Sequence, residues 1–163
     1  MINSKAKEII QVIAWIIGIT SGIIAIILFF SSSQNEIDLS GNWEMTFKVQ
    51  NSSLDRFDNN KLEYKYKIFL TQNENAINGN GEKFWEKFKG VETFYNLNQK
   101  TPISINGKIS EDKLEANIYE KGKRRETSGH IEFEIMDDLK LIKGRFKTTA
   151  ANSSGTAILE KLD

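Results

Sequence analysis

Four arginines stand among the 22 basic side chains of this 163-residue sequence, and three of them, Arg124, Arg125 and Arg145, lie in its C-terminal half. A guanidinium presents a planar fork of donors that fits phosphate or carboxylate, which the point charge of lysine does not. Arg124 and Arg125 fall in a turn between two alternating runs, Leu114 to Glu120 and Thr127 to Ile135. Tyr64, Tyr66 and Trp85 offer ring faces on which a base can stack. The uncharged loop Thr148-Thr149-Ala150-Ala151-Asn152-Ser153-Ser154-Gly155 supplies hydroxyl, amide and backbone groups of the kind that line the rim of a ligand site, with Thr148 and Asn152 as its contacts. Arg124, Arg125, Arg145, Tyr64, Tyr66, Trp85, Thr148 and Asn152 are therefore the candidate set for binding a ring-bearing anion. The plainer reading is that the rings fill a core and the turn arginines are solvated.

Other chemistry is excluded. The chain has no cysteine and His130 is its one histidine, so it has no thiolate nucleophile, no disulfide framework and no conventional zinc site. With 22 acidic side chains against 22 basic ones it lacks the cationic surplus that duplex DNA or RNA binding needs. Asn78-Gly79-Asn80-Gly81 is glycine-rich, but it lies in a strand and opens no helix, so no helix dipole is there to cradle phosphate. No Ser-His-Asp set or Walker-type loop can be assembled. No catalytic residue, metal or cofactor is assigned, and the chain is read as a binding protein and not an enzyme. His130 is expected to point outward with Glu132 and Glu134, opposite Ile131, Phe133 and Ile135.

The elements that must position these residues are strands. Beyond Glu36 the hydrophobic period is two. Trp43, Met45, Phe47 and Val49 alternate with Glu44, Thr46, Lys48 and Gln50, and Leu62, Tyr64, Tyr66, Ile68 and Leu70 alternate with Glu63, Lys65 and Lys67. A third strand covers 76–88, where Gly79 and Gly81 mark a bend, a bulge or a close backbone approach. Five more follow at 103–109, 114–120, 127–135, 139–148 and 155–162. Asn106-Gly107 is placed inside a strand and the reversal at 110–112. The stretch 89–99 is either a loop over one mouth or a distorted strand containing Phe94 and Tyr95. Eight strands joined by short connections can close with no exposed edge. The expected fold is all-β, an eight-stranded antiparallel up-and-down barrel over 36–163, preceded by one N-terminal transmembrane α-helix within 1–35.

That helix is read from the run Ile9 to Phe30, which carries no charge and is long enough to cross a hydrocarbon core of about 30 Å. A cleaved signal peptide is the rival, but its apolar core would be shorter. Gln11, Ala14, Gly18, Gly22 and Ala25 recur at spacings of three and four, so they share one face. Small residues there let two helix backbones approach, with Gln11 placed to hydrogen-bond across the seam. Lys5 and Lys7 precede the run, whereas Glu36 and Asp38 follow it, a bias toward N-in and C-out.

Two resemblances meet on Asp38-Leu39-Ser40-Gly41-Asn42-Trp43-Glu44. Gly41-x-Trp43 at the start of the first strand resembles the lipocalin and wider calycin signature, which implies a Trp plugging one end of the barrel under an Arg from a late strand; the last strand here has Lys161 instead. A membrane segment leading into Leu-Ser-Gly-x-Trp-Glu and a compact barrel is similar to the membrane-anchored β-barrel effectors of bacterial anti-phage signalling by cyclic oligonucleotides (CBASS and related systems). That resemblance implies an inner-membrane defence effector whose barrel senses a cyclic di- or oligonucleotide on the cytosolic side, here single-pass by its one apolar run. Its helix would form a homo-oligomer and disrupt membrane lipid. Effectors of that family generally carry two membrane helices, and this chain shows one. The alternative is an extracytoplasmic, membrane-tethered lipocalin-like carrier or inhibitor, which agrees with the charge bias.

Overall fold

The computed structural model describes residues 4–32, 37–59, 61–122, 125–136 and 139–162, with helix side chains described at 11 and 13–26. Two compact units result, Met1–Ile37 and Asp38–Asp163. The first contains α1 (Ser4–Ser32), rich in Ile and Ala and without proline. The Thr20 hydroxyl donates to the Ile16 carbonyl at 2.9 Å and the Ser21 hydroxyl to that of Ile17 at 2.7 Å, so both are satisfied inside the helix. Among the described residues no helix is long and apolar enough to cross a membrane.

The second unit consists of β1 (Gly41–Asn51), β2 (Leu62–Asn73), β3 (Ala76–Phe88), β4 (Val91–Phe94), β5 (Thr101–Ser110), β6 (Lys113–Lys121), β7 (Glu126–Glu134), β8 (Leu141–Thr148) and β9 (Ser154–Lys161). Each strand lies antiparallel beside its neighbours, and β1 pairs with both β2 and β9. Because β2 also pairs with β3, eight strands close into an up-and-down barrel, and short β4 is appended to β3 outside the ring. The eight-stranded barrel read from the sequence is observed, and the open question at 89–99 resolves into this extra hairpin. The reversal at 110–112 is a two-residue turn between paired Ser110 and Lys113, with Glu111 at φ +56°.

Strand alternation fills the interior. Trp43, Met45, Phe47 and Val49 are completely buried, as are Tyr66, Leu70, Ile77, Leu114, Ile131, Ile142 and Leu159 to within a few per cent. Each such side chain contributes about 1.5–3 kcal/mol by leaving water. Where β2, β6 and β7 bring large side chains inward, glycines on neighbouring strands make the room: a Cβ at Gly79 would lie 2.5 Å from Leu70 Cδ2, and one at Gly144 2.7 Å from Phe133 Cδ1. The close approach expected at Gly79 is therefore present.

The two ends differ. At the end where the chain enters, Gly41 takes φ +126°, a value that strains any side chain, and this turns the backbone into β1. Trp43 then plugs the floor, its Nε1–H donating to the Leu39 carbonyl at 2.8 Å. The Lys161 ammonium sits 5.4 Å above the Trp43 ring, in the position where the calycin resemblance implied an arginine. Phe47 packs on Phe146 at 4.5 Å between ring centroids, with Tyr64 and Tyr66 edge-on to it at 5.3 and 5.7 Å. The barrel is thus filled from Trp43 up to these rings and open beyond them.

Candidate functional site at the barrel mouth

Above the Phe47–Tyr66 layer lies a cavity of about 260 Å³, lined by β2, β3, β6 and the loops at the far end of the barrel from Gly41. Its shape depends on one irregularity. Between β2 and β3 the register runs Lys65↔Trp85 and then Tyr66↔Lys83, which leaves Phe84 as an extra residue in a β-bulge. The bulge resets the alternation of β3. Lys83 opposite Tyr66 and Glu86 opposite Tyr64 both reach the cavity, whereas Trp85 goes to the outer wall, where the Lys65 ammonium lies 5.5 Å from its ring.

The result is a half-buried polar cluster against aromatic walls. Tyr66, itself 1% exposed, donates its hydroxyl to Glu120 Oε2 at 2.6 Å. The Lys83 ammonium lies 3.3 Å from Glu120 Oε1 and 3.6 Å from Glu86 Oε2. The Tyr95 hydroxyl donates to Glu86 Oε2 at 3.0 Å. The same ammonium stands 5.6 Å from the Tyr64 ring and 5.8 Å from that of Tyr95. Burial, then the charges of Glu120 and Glu86, push the Tyr64 hydroxyl far above its ordinary value; burial and Glu120 do the same for Tyr66. Tyr95, less buried, is pushed up to about 12, by burial first and then by Glu86. All three are neutral donors at physiological pH.

The rim is held by a strained loop. Ala151 and Asn152 both have positive φ, +52° and +46°, and the Ala151 carbonyl accepts from the Ser53 N–H at 2.8 Å, the Ser53 hydroxyl at 2.8 Å and the Ser52 hydroxyl at 3.2 Å. The loop after β8 is thereby tied to the connection after β1. Ala150, Ala151 and Ser153 face the cavity from it.

Of the residues proposed from sequence, Tyr64, Tyr66, Arg125 and Thr148 line this one cavity. Arg125 is exposed at its rim and Thr148 is buried in its wall. Arg124 lies outside the described residues. Trp85 does not join the site, because the bulge turns it outward. Arg145 also stands elsewhere, paired in register with Glu132 and Thr156 on the outer wall, where it lines a separate surface hollow. Asn152 is exposed on the rim loop without lining the cavity. Sequence reasoning missed Lys83, Glu86 and Glu120. Glu120 was findable, since it continues the inward phase of Leu114, Ala116 and Ile118, and so was Lys83, in phase with Ile77, Gly79 and Gly81; Glu86 was not, because the bulge is invisible in the local pattern. His130 is exposed as expected, with Nδ1 3.3 Å from Asn117 Oδ1 and Nε2 3.5 Å from Glu132.

On α1, Gln11, Ala14 and Gly18 share a shallow groove with Trp15 and Ile19. Nothing stands within 4 Å of where a Cβ would project from Gly18 or Gly22, and Ala25 is exposed.

Fold and site together define a closed up-and-down β-barrel with a plugged floor and a charged, ring-walled mouth. No family model, curated protein or solved structure matches the chain.

Proposed function

We propose that this chain is a nucleotide-responsive membrane effector, a β-barrel receptor tethered by a single-pass N-terminal helix. The observation that carries the reading is the mouth cavity, where Tyr64 offers a ring wall and Arg125 a guanidinium at the rim. The cavity of about 260 Å³ falls just below the roughly 300–1,000 Å³ typical of pockets for drug-sized ligands. That space suits one base; the sugar-phosphate ring of a cyclic dinucleotide would rest against Arg125. The uncharged run Ile9 to Phe30 supports the membrane anchor, and the open face at Gly18 and Gly22 supports self-association with membrane damage as its output. Ligand changes the clustered state only so far as it binds clustered and dispersed barrels unequally.

Calorimetric titration of the full chain in detergent with cyclic di-GMP and cyclic di-AMP tests the reading. We expect saturable binding that Arg125→Ala weakens about tenfold, the worth of one charge-assisted contact. An unaltered titration removes Arg125 from the site, and no binding of any nucleotide at millimolar concentration ends the reading.

The Lys161 ammonium over buried Trp43 favours a second reading, the extracytoplasmic lipocalin-like carrier. Because the chain has no cysteine, Leu97→Cys, at a position 83% exposed, reports the side directly. A membrane-impermeant maleimide that labels it in intact cells places the barrel outside and selects the carrier. Labelling only after the membrane is opened selects the cytosolic receptor.

A further inference from the structure

The hydrogen-bonding capacity left over at the mouth is unequal. A carboxylate has about four lone-pair sites and an ammonium three protons. Glu86 receives the Lys83 ammonium and the Tyr95 hydroxyl, both on Oε2, and among the described residues its Oε1 has no partner. Glu120 receives Tyr66 and Lys83. Lys83 stands as an ion-pair partner between these two carboxylates, and its ammonium keeps protons for a ligand. The Glu86 side chain is 29% exposed and faces the cavity, so its free oxygen is within reach of a ligand. The inner site therefore offers the open carboxylate oxygen of Glu86 beside the cationic donor Lys83. An occupant that leaves these groups unpaired forfeits their hydration without replacement.

Resting on the nucleotide reading above, we infer that Glu86, with Lys83 beside it, reads the edge of the base and selects guanine. Guanine presents one acceptor, O6, followed by two donors, N1–H and the 2-amino group. Lys83 donates to O6 and Glu86 Oε1 accepts from the two donors, while the ring lies against Tyr64. Adenine presents one donor and one acceptor along the same edge and leaves part of the carboxylate unpaired. Hypoxanthine lacks only the 2-amino group and falls between them.

The test is calorimetric titration of the full chain in detergent with GMP, IMP and AMP, each also against Glu86→Gln. The expected order is GMP, then IMP, then AMP, with GMP ahead of AMP by about tenfold or more, the worth of one further bond to a charged group. Glu86→Gln should erase most of that preference, chiefly by weakening GMP. Equal binding of GMP and AMP overturns the inference and leaves the nucleotide reading standing. Preference retained in Glu86→Gln also overturns it. Binding of none of the three, with saturable binding of a simple primary amine such as butylamine, overturns both, because the pocket would then be an ammonium site.

Discussion

Replacing Tyr66 by Phe removes one oxygen atom from the deepest polar contact of the mouth and nothing else. Tyr66 is 1% exposed and its hydroxyl lies 2.6 Å from Glu120 Oε2. Phe fills the same space, so no cavity opens, and a hydrogen bond to a charged group is worth about 1.5–3 kcal/mol. Glu120 keeps Lys83 at 3.3 Å and its side chain is 18% exposed, which leaves it partly compensated and holds the expected loss near 2 kcal/mol. In a barrel of this size that lowers Tm by roughly 6–10 °C at pH 7. The pH dependence has the opposite sign. Because burial and Glu120 raise the Tyr66 hydroxyl well above 10, its contribution is fully present below pH 10. It is lost as pH rises through the folded value, by about 1.4 kcal/mol per pH unit. The variant lacks that titration, while Tyr64 and Tyr95 titrate identically in both proteins. The two stability curves should therefore converge above pH 10 and cross about one and a half units higher. Urea unfolding of the full chain in detergent, followed by tryptophan fluorescence between pH 7 and 11.5, measures this. A constant offset across that range, or a loss below about 0.5 kcal/mol at pH 7, would refute the reasoning.

Lys161→Met keeps the aliphatic stem over Trp43 and deletes the cation 5.4 Å from its ring, so a loss of about 0.5–1 kcal/mol is expected, seen as a small fall in Tm; an unchanged melt would mean that the ammonium is a bystander. Gly18→Leu combined with Gly22→Leu fills the open face of α1, so the proposed self-association predicts that the variant forms no cross-linked oligomer and is not toxic on expression while its β-sheet circular dichroism signal matches the parent's. Persistent oligomers would move the contact to another face.

The barrel was legible because its strands obey local rules. Period-two alternation alone put Trp43, Phe47, Tyr66, Ile131 and Phe133 inside and His130 outside, and the structure buries and exposes them accordingly. Closure too could be read, from eight such strands with short connections. The uncharged apolar run at 9–30 and its small-residue spacing are patterns of sequence order. The mouth was legible only in part. Its rim residues Arg125 and Thr148 announce themselves by type and by position at turns, and Glu120 lies in phase with its own strand. Trp85 and Arg145 were chosen for their chemistry, and that choice carried no information about which wall they would face.

What the tertiary structure alone decided is the charged interior of the mouth. A single extra residue at Phe84 shifts β3 by one position relative to β2, and a period-two pattern inverts completely under a shift of one. That inversion sends Trp85 outward and brings Glu86 in beside Lys83. Lys83 and Glu86 come from β3, Glu120 from β6 and Tyr66 from β2, so their meeting depends on barrel closure and not on any spacing along the chain. Burial of the Tyr66 hydroxyl against Glu120 follows from the same cross-strand geometry, which no window of sequence contains.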